Sequence, residues 1–478
     1  LIKDSGVKTF QLGVLSRRGP ITIDSQNIPH LAHVGGLTRV LPELANHCDV
    51  NWIVLNRGES GRAGQSFNYQ DFSKSKQPYE LVISQAQIDS NSISDWFCAN
   101  YLWQLMHDLA LPLMDSVQLS NYLTDLTQEN QKILETALTK TNNAYFINDF
   151  HLSPSVKLLR ECDSSVPISF FLHTPWPKNQ QQDVAAREAL RYLASGMLDA
   201  NIINFQTPAD LKSFVAFVAE NFQVRITTGE VTTISSDTYS TQLQVNPVSV
   251  DTTALVQLPH KSPSHLAEED LLFVHIARSD PAKNTLGVIA AVKQLLNERS
   301  PNSRRMFLDL YIVPSRQDFL AYQELLREIQ TRVADFNSAF VSDYQNPIRL
   351  HIDNDYAGAL GALRRFDILL APSWADGMNL VVKEAAVLNQ RNGVIIATPK
   401  VGAMAELGSS CIIANSPKPD CLIQAIDLAM KLSENQRQLM SANLKASLQF
   451  ADLNSWALKI MRPITKAAKS QLASFVRL

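Results

Sequence analysis

Short apolar, β-branched runs alternate with longer segments of helical periodicity along nearly the whole 478-residue chain. That alternation confines the fold to the α/β class with largely parallel sheets, because parallel neighbours need a long crossover and a helix supplies it. In the first half, strands are expected at 9–15, 50–55, 144–147, 168–173 and 200–205, with helices such as 124–139 and 184–198 between them. The pattern breaks at Lys261-Ser262-Pro263-Ser264-His265, a polar connector with a proline that reads as a domain boundary. A second series follows, with strands at 271–276, 307–313, 348–352, 368–371 and 393–397 and helices at 285–298 and 318–337. The expected domains are 1–260 and 266–452, with the amphipathic segment 453–478 packing back on the first. No tandem repeat or low-complexity tract points to a solenoid or a tail.

The length calls for two or three cores. A content of 45% hydrophobic and 19% charged residues describes a globular chain. A formal net charge of -3 gives no reason to expect nucleic acid or a membrane surface as a partner, and no apolar run is long enough for a membrane span. Cys48, Cys98, Cys162, Cys411 and Cys421 are scattered, with no C-x-x-C pair. Reduced thiols in a cytoplasmic protein are therefore expected, without a zinc site or a disulfide framework. The opening residues lack the pattern of a secretory signal. Association with further copies of the chain stays open.

Neither half carries G-x-G-x-x-G after its first strand or a Walker lysine loop, which disfavours dinucleotide oxidoreductases and P-loop kinases. The richest segment is D-G-M-N-L-V-V-K-E, Asp376 to Glu384, which follows the apolar run ending at Pro372-Ser373. A strand there delivers Asp376 and the Gly377-Met378 backbone to the carboxyl edge of a sheet, and a helix from Leu380 carries Glu384. Ligands of open α/β sheets bind at that edge. One carboxylate suits sugar hydroxyls and the other a ribose; a capped helix with an unrelated Glu on its flank is the plainer alternative. Arg278 and Lys283, in R-S-D-P-A-K-N after the strand that opens the second domain, suit a diphosphate, the fork of Arg chelating oxygens and Lys adding a compact charge. A solvated loop with two surface cations fits them too, with Asp280-Pro281 as turn chemistry.

In the first half, Gly35 and Gly36 precede a helical pattern and permit close approach of a phosphate, or form a plain turn. Arg18 in L-S-R-R-G-P and Arg316 in I-V-P-S-R follow strands, where each binds an anion or sits at the surface. Asp149 in N-D-F-H and His173 in F-F-L-H-T-P-W-P end two further strands. Such a pair orients hydroxyls or shuttles a proton, although a histidine after an apolar strand is also a common structural hydrogen-bonder.

In this order the motifs resemble the trehalose-6-phosphate synthase family of retaining glycosyltransferases: Arg18, Gly35-Gly36, N-D-F-H, F-F-L-H-T-P-W-P, R-S-D-P-A-K, P-S-R, D-G-M-N-L-V-V-K-E and finally M-A-E-L at Met404 to Leu407. The resemblance implies a GT-B fold, α/β with two Rossmann-like domains facing across a cleft. It implies that Gly35, Gly36, Arg278 and Lys283 hold a donor diphosphate, that Asp376, Gly377, Met378, Asn379 and Leu380 hold the donor sugar, and that Glu384 holds the ribose. His173 contacts the sugar near the reacting carbon, and Asp149 binds acceptor hydroxyls. Arg18 and Arg316 clamp an acceptor phosphate without touching the nucleotide, and Trp103 in A-N-Y-L-W lines the acceptor pocket. No metal or other cofactor is expected. Asp353-Asn354-Asp355 fits a metal-binding D-x-D by letter but falls in the second domain, so it is read as nucleotide-side or structural.

The resemblance therefore implies transfer of a hexosyl group, glucosyl above all, from a UDP-, GDP- or ADP-linked donor to a phosphorylated sugar, polyol or cyclitol. Two departures bear on the substrate. The family tyrosine in R-x-D-Y-x-K-G is Pro281 and the glycine is Asn284, as in validoxylamine-7′-phosphate synthase, a relative that couples a nucleotide-linked cyclitol to an aminocyclitol phosphate. On the acceptor side, the family I-L-P-W-R is replaced by Asp183-Val184-Ala185-Ala186-Arg187 and P-I-G-I by Pro247-Val248-Ser249-Val250. The alternatives to a hexosyltransferase are that pseudo-glycosyl transfer and a catalytically silent regulator that binds sugar phosphates.

Overall fold

The structure, a computed structural model, describes residues 10–23, 28–31, 36–56, 65–73, 77–87, 93–178, 183–264, 266–298, 300, 303–342 and 344–475. The chain divides into two compact units. One takes in the described residues of Leu1–Met106, Ala110–Val248 and Asn454–Leu478; the other is His107–Leu109 with Ser249–Leu453.

The strands of the first unit are β1 (Gln11–Ser16), β2 (Ile21–Ile23), β3 (Pro29–Leu31), β4 (Asp49–Asn56), β5 (Ser66–Asn68), β6 (Leu81–Gln87), β7 (Ala144–Asn148), β8 (Ile168–Leu172), β9 (Ile202–Phe205), β10 (Arg225–Thr227), β11 (Thr232–Ser235) and β12 (Ser240–Val245). Ten of them form one sheet in the order β10-β11-β12-β9-β8-β7-β1-β4-β6-β5, while β2 and β3 pair separately. From β12 to β6 every pairing is parallel; the β10–β11 hairpin and β5 close the two edges antiparallel. These edge strands escape the sequence reading. β12 alternates exposed Ser240 and Gln242 with buried Thr241 and Leu243, so it lacks a continuous apolar run.

Central strands are buried on both faces and so read as unbroken apolar stretches, as in Ala144–Asn148 and Ile168–Leu172. One face of the sheet, with Leu15, Ile147, Phe170, Leu172 and Phe205, packs against helices that include Ser116–Leu138 and Val184–Leu198. The first of these helices starts eight residues before its expected position, at a capping box in which Asp115 and Gln118 satisfy each other's backbone N–H groups. Asp183, within the segment that departs from the family, caps the second helix by accepting from the Ala186 N–H at 2.7 Å. The C-terminal helix Leu453–Phe475 sets Trp456 against Phe146 and Phe171, with ring centroids 6.4 and 6.0 Å away.

The second unit holds β13 (Leu271–Arg278), β14 (Met306–Val313), β15 (Ile348–His351), β16 (Ile368–Ala371), β17 (Val394–Ala397) and β18 (Ile412–Ile413). They form an all-parallel sheet in the order β15-β14-β13-β16-β17-β18. Winding thus runs outward from β13 to one edge, then returns and runs outward from β16 to the other. The first sheet is wired alike, with its reversal between β1 and β7. Each reversal opens a crevice at the carboxyl ends of two central strands, where doubly wound sheets bind their ligands.

Candidate active site

In the second unit the reversal point gathers the motifs expected to hold a donor. Arg278 is the last residue of β13, and the turn Pro281–Lys283 follows, capped by Asp280, which accepts from the Ala282 N–H at 3.0 Å. Asp280 is buried and also takes the Arg316 guanidinium at 2.9 Å and that of Arg278 at 3.6 Å. Burial alone would raise its pKa, but Arg316 and then Arg278 outweigh that and hold the carboxyl well below the usual range. Arg316 further donates to the Tyr322 hydroxyl at 3.1 Å and lies over its ring. Arg316 thus joins the ion-pair network of Arg278, a link the sequence did not indicate. It shares a carboxylate with Arg278, so neither guanidinium shifts without loading the other.

Lys283 pairs with Asp376, which also accepts from Ser373 Oγ at 3.3 Å. The loop that carries Asp376 rests on a second loop after β17. The Asp376 N–H donates to the Lys400 carbonyl at 3.0 Å, Gly402 N–H to the Asp376 carbonyl at 3.0 Å, and Ala403 N–H to the Met378 carbonyl at 2.8 Å. A Cβ at Gly402 would lie 1.8 Å from the Gly377 carbonyl oxygen, so only glycine lets the two backbones approach this closely. Asn379, in left-handed conformation and without a side-chain capping bond, precedes the helix Leu380–Leu388, on which Glu384 is buried and accepts from the Tyr356 hydroxyl at 3.4 Å. The neighbouring Lys383 is fully buried and paired at 2.6 Å with Glu406 of M-A-E-L. Asp355 of the D-x-D caps the helix Tyr356–Arg365 and pairs with Lys261 at 3.1 Å, a structural role. Among the described residues no cluster of three or more His, Cys, Asp or Glu side chains is arranged for a metal ion.

At the first unit's reversal point, β1 leads to Arg18, which is exposed, and β7 to Asp149, which is buried and accepts from the Phe150 N–H at 3.1 Å. Ser16 Oγ donates to the Arg18 carbonyl at 2.7 Å and itself accepts from Trp52 Nε1 at 2.7 Å, which fixes the strand end. His173, one strand further, sits in a hydrogen-bond chain. Asn148 donates its amide N–H to the Leu15 carbonyl at 3.1 Å, leaving its oxygen 3.0 Å from His173 Nε2. Gln206 accepts from the Val248 N–H at 2.9 Å, leaving its amide nitrogen 3.4 Å from His173 Nδ1. The network therefore selects a neutral ring with its proton on Nε2, and burial pushes the pKa down to about 3. With both nitrogens engaged, His173 presents a fixed, uncharged edge. Trp103 opens the helix Trp103–Met106 directly after the π-helical stretch Phe97–Leu102 and is half-buried against the core. Gly36 begins the short helix Gly36–Val40, whereas Gly35 lies outside the described residues.

Asp149, Asn284, Arg316 and Asn379 all have positive φ, at 75°, 58°, 53° and 67°. Left-handed backbone is uncommon outside glycine and persists where the surroundings enforce it, often at binding sites. Asn284 stands where the family has glycine, and asparagine tolerates this conformation. Sequence reasoning missed Asn148, Gln206, Ser373 and Gly402; only the glycine, five residues beyond the strand end at Ala397, left a trace that could be read.

A second buried histidine ties β16 to the helix Thr285–Glu298: His275 bonds the Leu370 carbonyl through Nδ1 at 2.8 Å and Thr285 Oγ1 through Nε2 at 3.0 Å, and burial lowers its pKa to about 4. A depressed folded pKa means that the unfolded chain binds the proton first as pH falls. The stabilising contribution is complete above about pH 6.5 and drains as pH drops toward 4, by about 1.4 kcal/mol per unit for each such group. Urea midpoints between pH 7 and 4.5 should therefore fall less steeply in His275→Gln than in the wild type; parallel slopes would contradict the neutral assignment.

The profile of Glycosyltransferase family 20 matches residues 11–466. The chain is 24% identical over 471 residues to Validamine 7-phosphate valienyltransferase of Streptomyces hygroscopicus subsp. jinggangensis (strain 5008), covering 93% of this chain and 92% of that one. It is 25% identical over 422 residues to Trehalose-6-phosphate synthase of Enterobacter sp. (strain 638), covering 86% and 85%. The crystal structure of an alpha,alpha-trehalose-phosphate synthase (UDP-forming) from Burkholderia xenovorans in complex with glucose-6-phosphate superposes with a TM-score of 0.80 at 20% identity, over 95% of this chain and all (100%) of that one. The E. coli protein bound with UDP-2-fluoro glucose gives 0.78 at 20% identity, over 95% and 98%. The fold shared with these enzymes is GT-B, built from two Rossmann-like domains, and with a family profile spanning almost its entire length the chain belongs to Glycosyltransferase family 20.

Proposed function

We propose that this glycosyltransferase moves a hexosyl group, with retention, from a nucleoside diphosphate sugar to a phosphorylated sugar, polyol or cyclitol. The observation that carries the reading is the cluster of Arg278, Lys283 and Asp376 at the reversal point of the second sheet. Lys283 and Asp376 hold each other; when a diphosphate draws the ammonium away, the carboxylate is released to accept hydroxyls of the donor sugar. Glu384 takes the ribose hydroxyls. As the bond from the anomeric carbon to the diphosphate oxygen breaks, Arg278 and Lys283 stabilise the departing charge. The acceptor hydroxyl attacks on the same face and its proton passes to a leaving-group oxygen, so no enzymic base is required. The neutral, doubly engaged His173 is consistent with this, offering orientation and not a proton. Incubating the protein with UDP-, GDP- and ADP-glucose against a panel of phosphorylated acceptors and measuring nucleotide release tests the proposal; no release in any pairing would overturn it.

A second reading, transfer of a nucleotide-linked cyclitol, has its own support. The D-P-A-K-N turn with left-handed Asn284 departs from the trehalose synthases, and a valienyltransferase is among the relatives spanning over nine-tenths of the chain. Turnover with a nucleotide-valienol donor and with none of the glucose donors would decide for it.

Charge selectivity at the acceptor gives a further expected result. Hydrogen bonds to a charged group contribute about 1.5–3 kcal/mol, so Arg18→Ala and Arg316→Ala should each lower acceptor kcat/KM by about one to two decades. Donor affinity should be unchanged in Arg18→Ala and weakened in Arg316→Ala, because Asp280 then falls wholly to Arg278. Equal wild-type preference for phosphorylated and unphosphorylated acceptors would refute the phosphate assignment.

A further inference from the structure

The two arginines of L-S-R-R-G-P have opposite fates. Arg18 is exposed, whereas Arg17 is buried and reaches inward to four side chains. Its guanidinium pairs with Asp95 at 3.0 Å and with Glu129 at 3.0 Å, donates to Ser94 Oγ at 3.2 Å, and contacts Cys98 Sγ. Ser94 Oγ also donates to Glu129, and the Ser94 N–H donates to Asp125 at 3.0 Å. Three separate pieces of chain therefore meet on one cation: the end of β1, the helical run that begins at Ser94, and the long helix Ser116–Leu138.

The middle piece gives the contact its interest. Ser94–Trp96 is α-helical, Phe97–Leu102 is π-helical, and Trp103–Met106 returns to α-helix. A π turn inserts a residue into the helical repeat and rotates everything beyond it, a device that recurs at functional sites. Asp95 and Cys98 lie at the entrance of this stretch and Trp103 at its exit. The rotation that sets the Trp103 indole is thus anchored by the residue adjacent to Arg18. A Lys in place of Arg17 would keep the charge but lose the planar fork that engages several partners together. Arg17 is not among the residues assigned to substrate and spends its guanidinium on Ser94, Asp95, Cys98 and Glu129, so its influence passes through Arg18 and Trp103.

We propose that Arg17 is the positioning residue of the acceptor end, tying the Arg18 strand end and the π-helical segment that delivers Trp103 into one rigid unit. The proposal rests on the acceptor reading of Arg18 and Trp103 given above. Its test is calorimetric titration of the full chain with glucose 6-phosphate, for wild type, Arg17→Lys, Asp95→Asn and Arg18→Ala, with melting midpoints and UDP affinity measured alongside. Asp95 is partly exposed, so its neutralisation loosens the network without leaving a deeply buried charge alone. Arg17→Lys and Asp95→Asn are each expected to weaken glucose 6-phosphate by about five- to tenfold, with the UDP affinity kept. In turnover, the same variants should raise acceptor KM while kcat at saturation stays within about twofold, a split that general destabilisation does not produce. Normal affinity in Arg17→Lys and Asp95→Asn, with loss in Arg18→Ala, would overturn the positioning role alone. Wild type that fails to bind, or Arg18→Ala that binds as wild type, would overturn the acceptor reading and the positioning role with it.

Discussion

Replacing Arg278 or Lys283 by Ala should lower kcat by about two to three decades, the scale on which a single charged transition-state contact acts. Both cations stand at the end of β13 where the sheet reverses, and each is held by a carboxylate, Asp280 for Arg278 and Asp376 for Lys283. The two variants should differ in their side effects. Without Arg278, Asp280 keeps Arg316 and its cap on the turn, so the loop persists and the loss falls on the chemical step. Without Lys283, Asp376 loses its ion-pair partner beside the donor sugar, so donor affinity should fall as well. Single-turnover rates and donor binding together separate these effects, and near-normal turnover in both variants would remove the diphosphate assignment.

Gly402→Ala should be as damaging, although residue 402 carries no chemistry. Its Cβ would stand 1.8 Å from the Gly377 carbonyl oxygen, a backbone atom whose loop is already bonded on both sides by Asp376 and Met378. Relief requires the D-G-M-N loop to move by more than an ångström, and displacement on that scale costs about two decades in rate where reacting groups must be held in line. Overpacking of this kind also costs about 1–3 kcal/mol of stability. Donor affinity and kcat should both fall while the fold persists by circular dichroism; wild-type donor affinity would show that the loop yields freely and positions nothing.

The proposed donor site was legible to the extent that its parts are contiguous. D-G-M-N-L-V-V-K-E announces strand end, loop and helix within one stretch, and the structure sets β16, the loop and the helix Leu380–Leu388 in that order. R-S-D-P-A-K-N likewise shows a strand end followed by a capped turn. Side-chain partners were not legible. Arg316 meets Asp280 across 36 residues, Gln206 meets His173 across 33, and nothing local to any of them names the other. The pairing that ties Arg316 to Arg278 through Asp280 was therefore not visible from strand ends alone. The β10–β12 edge was likewise hidden, because exposed polar residues interrupt its apolar pattern.

What the sequence determined by itself is the α/β class, the positions of the buried strands other than β6 and the chemistry available at their carboxyl ends. Apolar run length, helical period and turn residues act between near neighbours, so they survive without a tertiary context. What only the tertiary structure decided is the order of strands in each sheet, and with it which ends become neighbours. The reversal between β13 and β16 brings Lys283 to Asp376, and that between β1 and β7 brings Asn148 to Leu15 and so fixes the tautomer of His173. It also decided that, of two adjacent arginines, one is buried on carboxylates and the other left exposed. That choice depends on which chain segments pack beside β1, since burying a guanidinium is tolerable only where opposite charges wait for it.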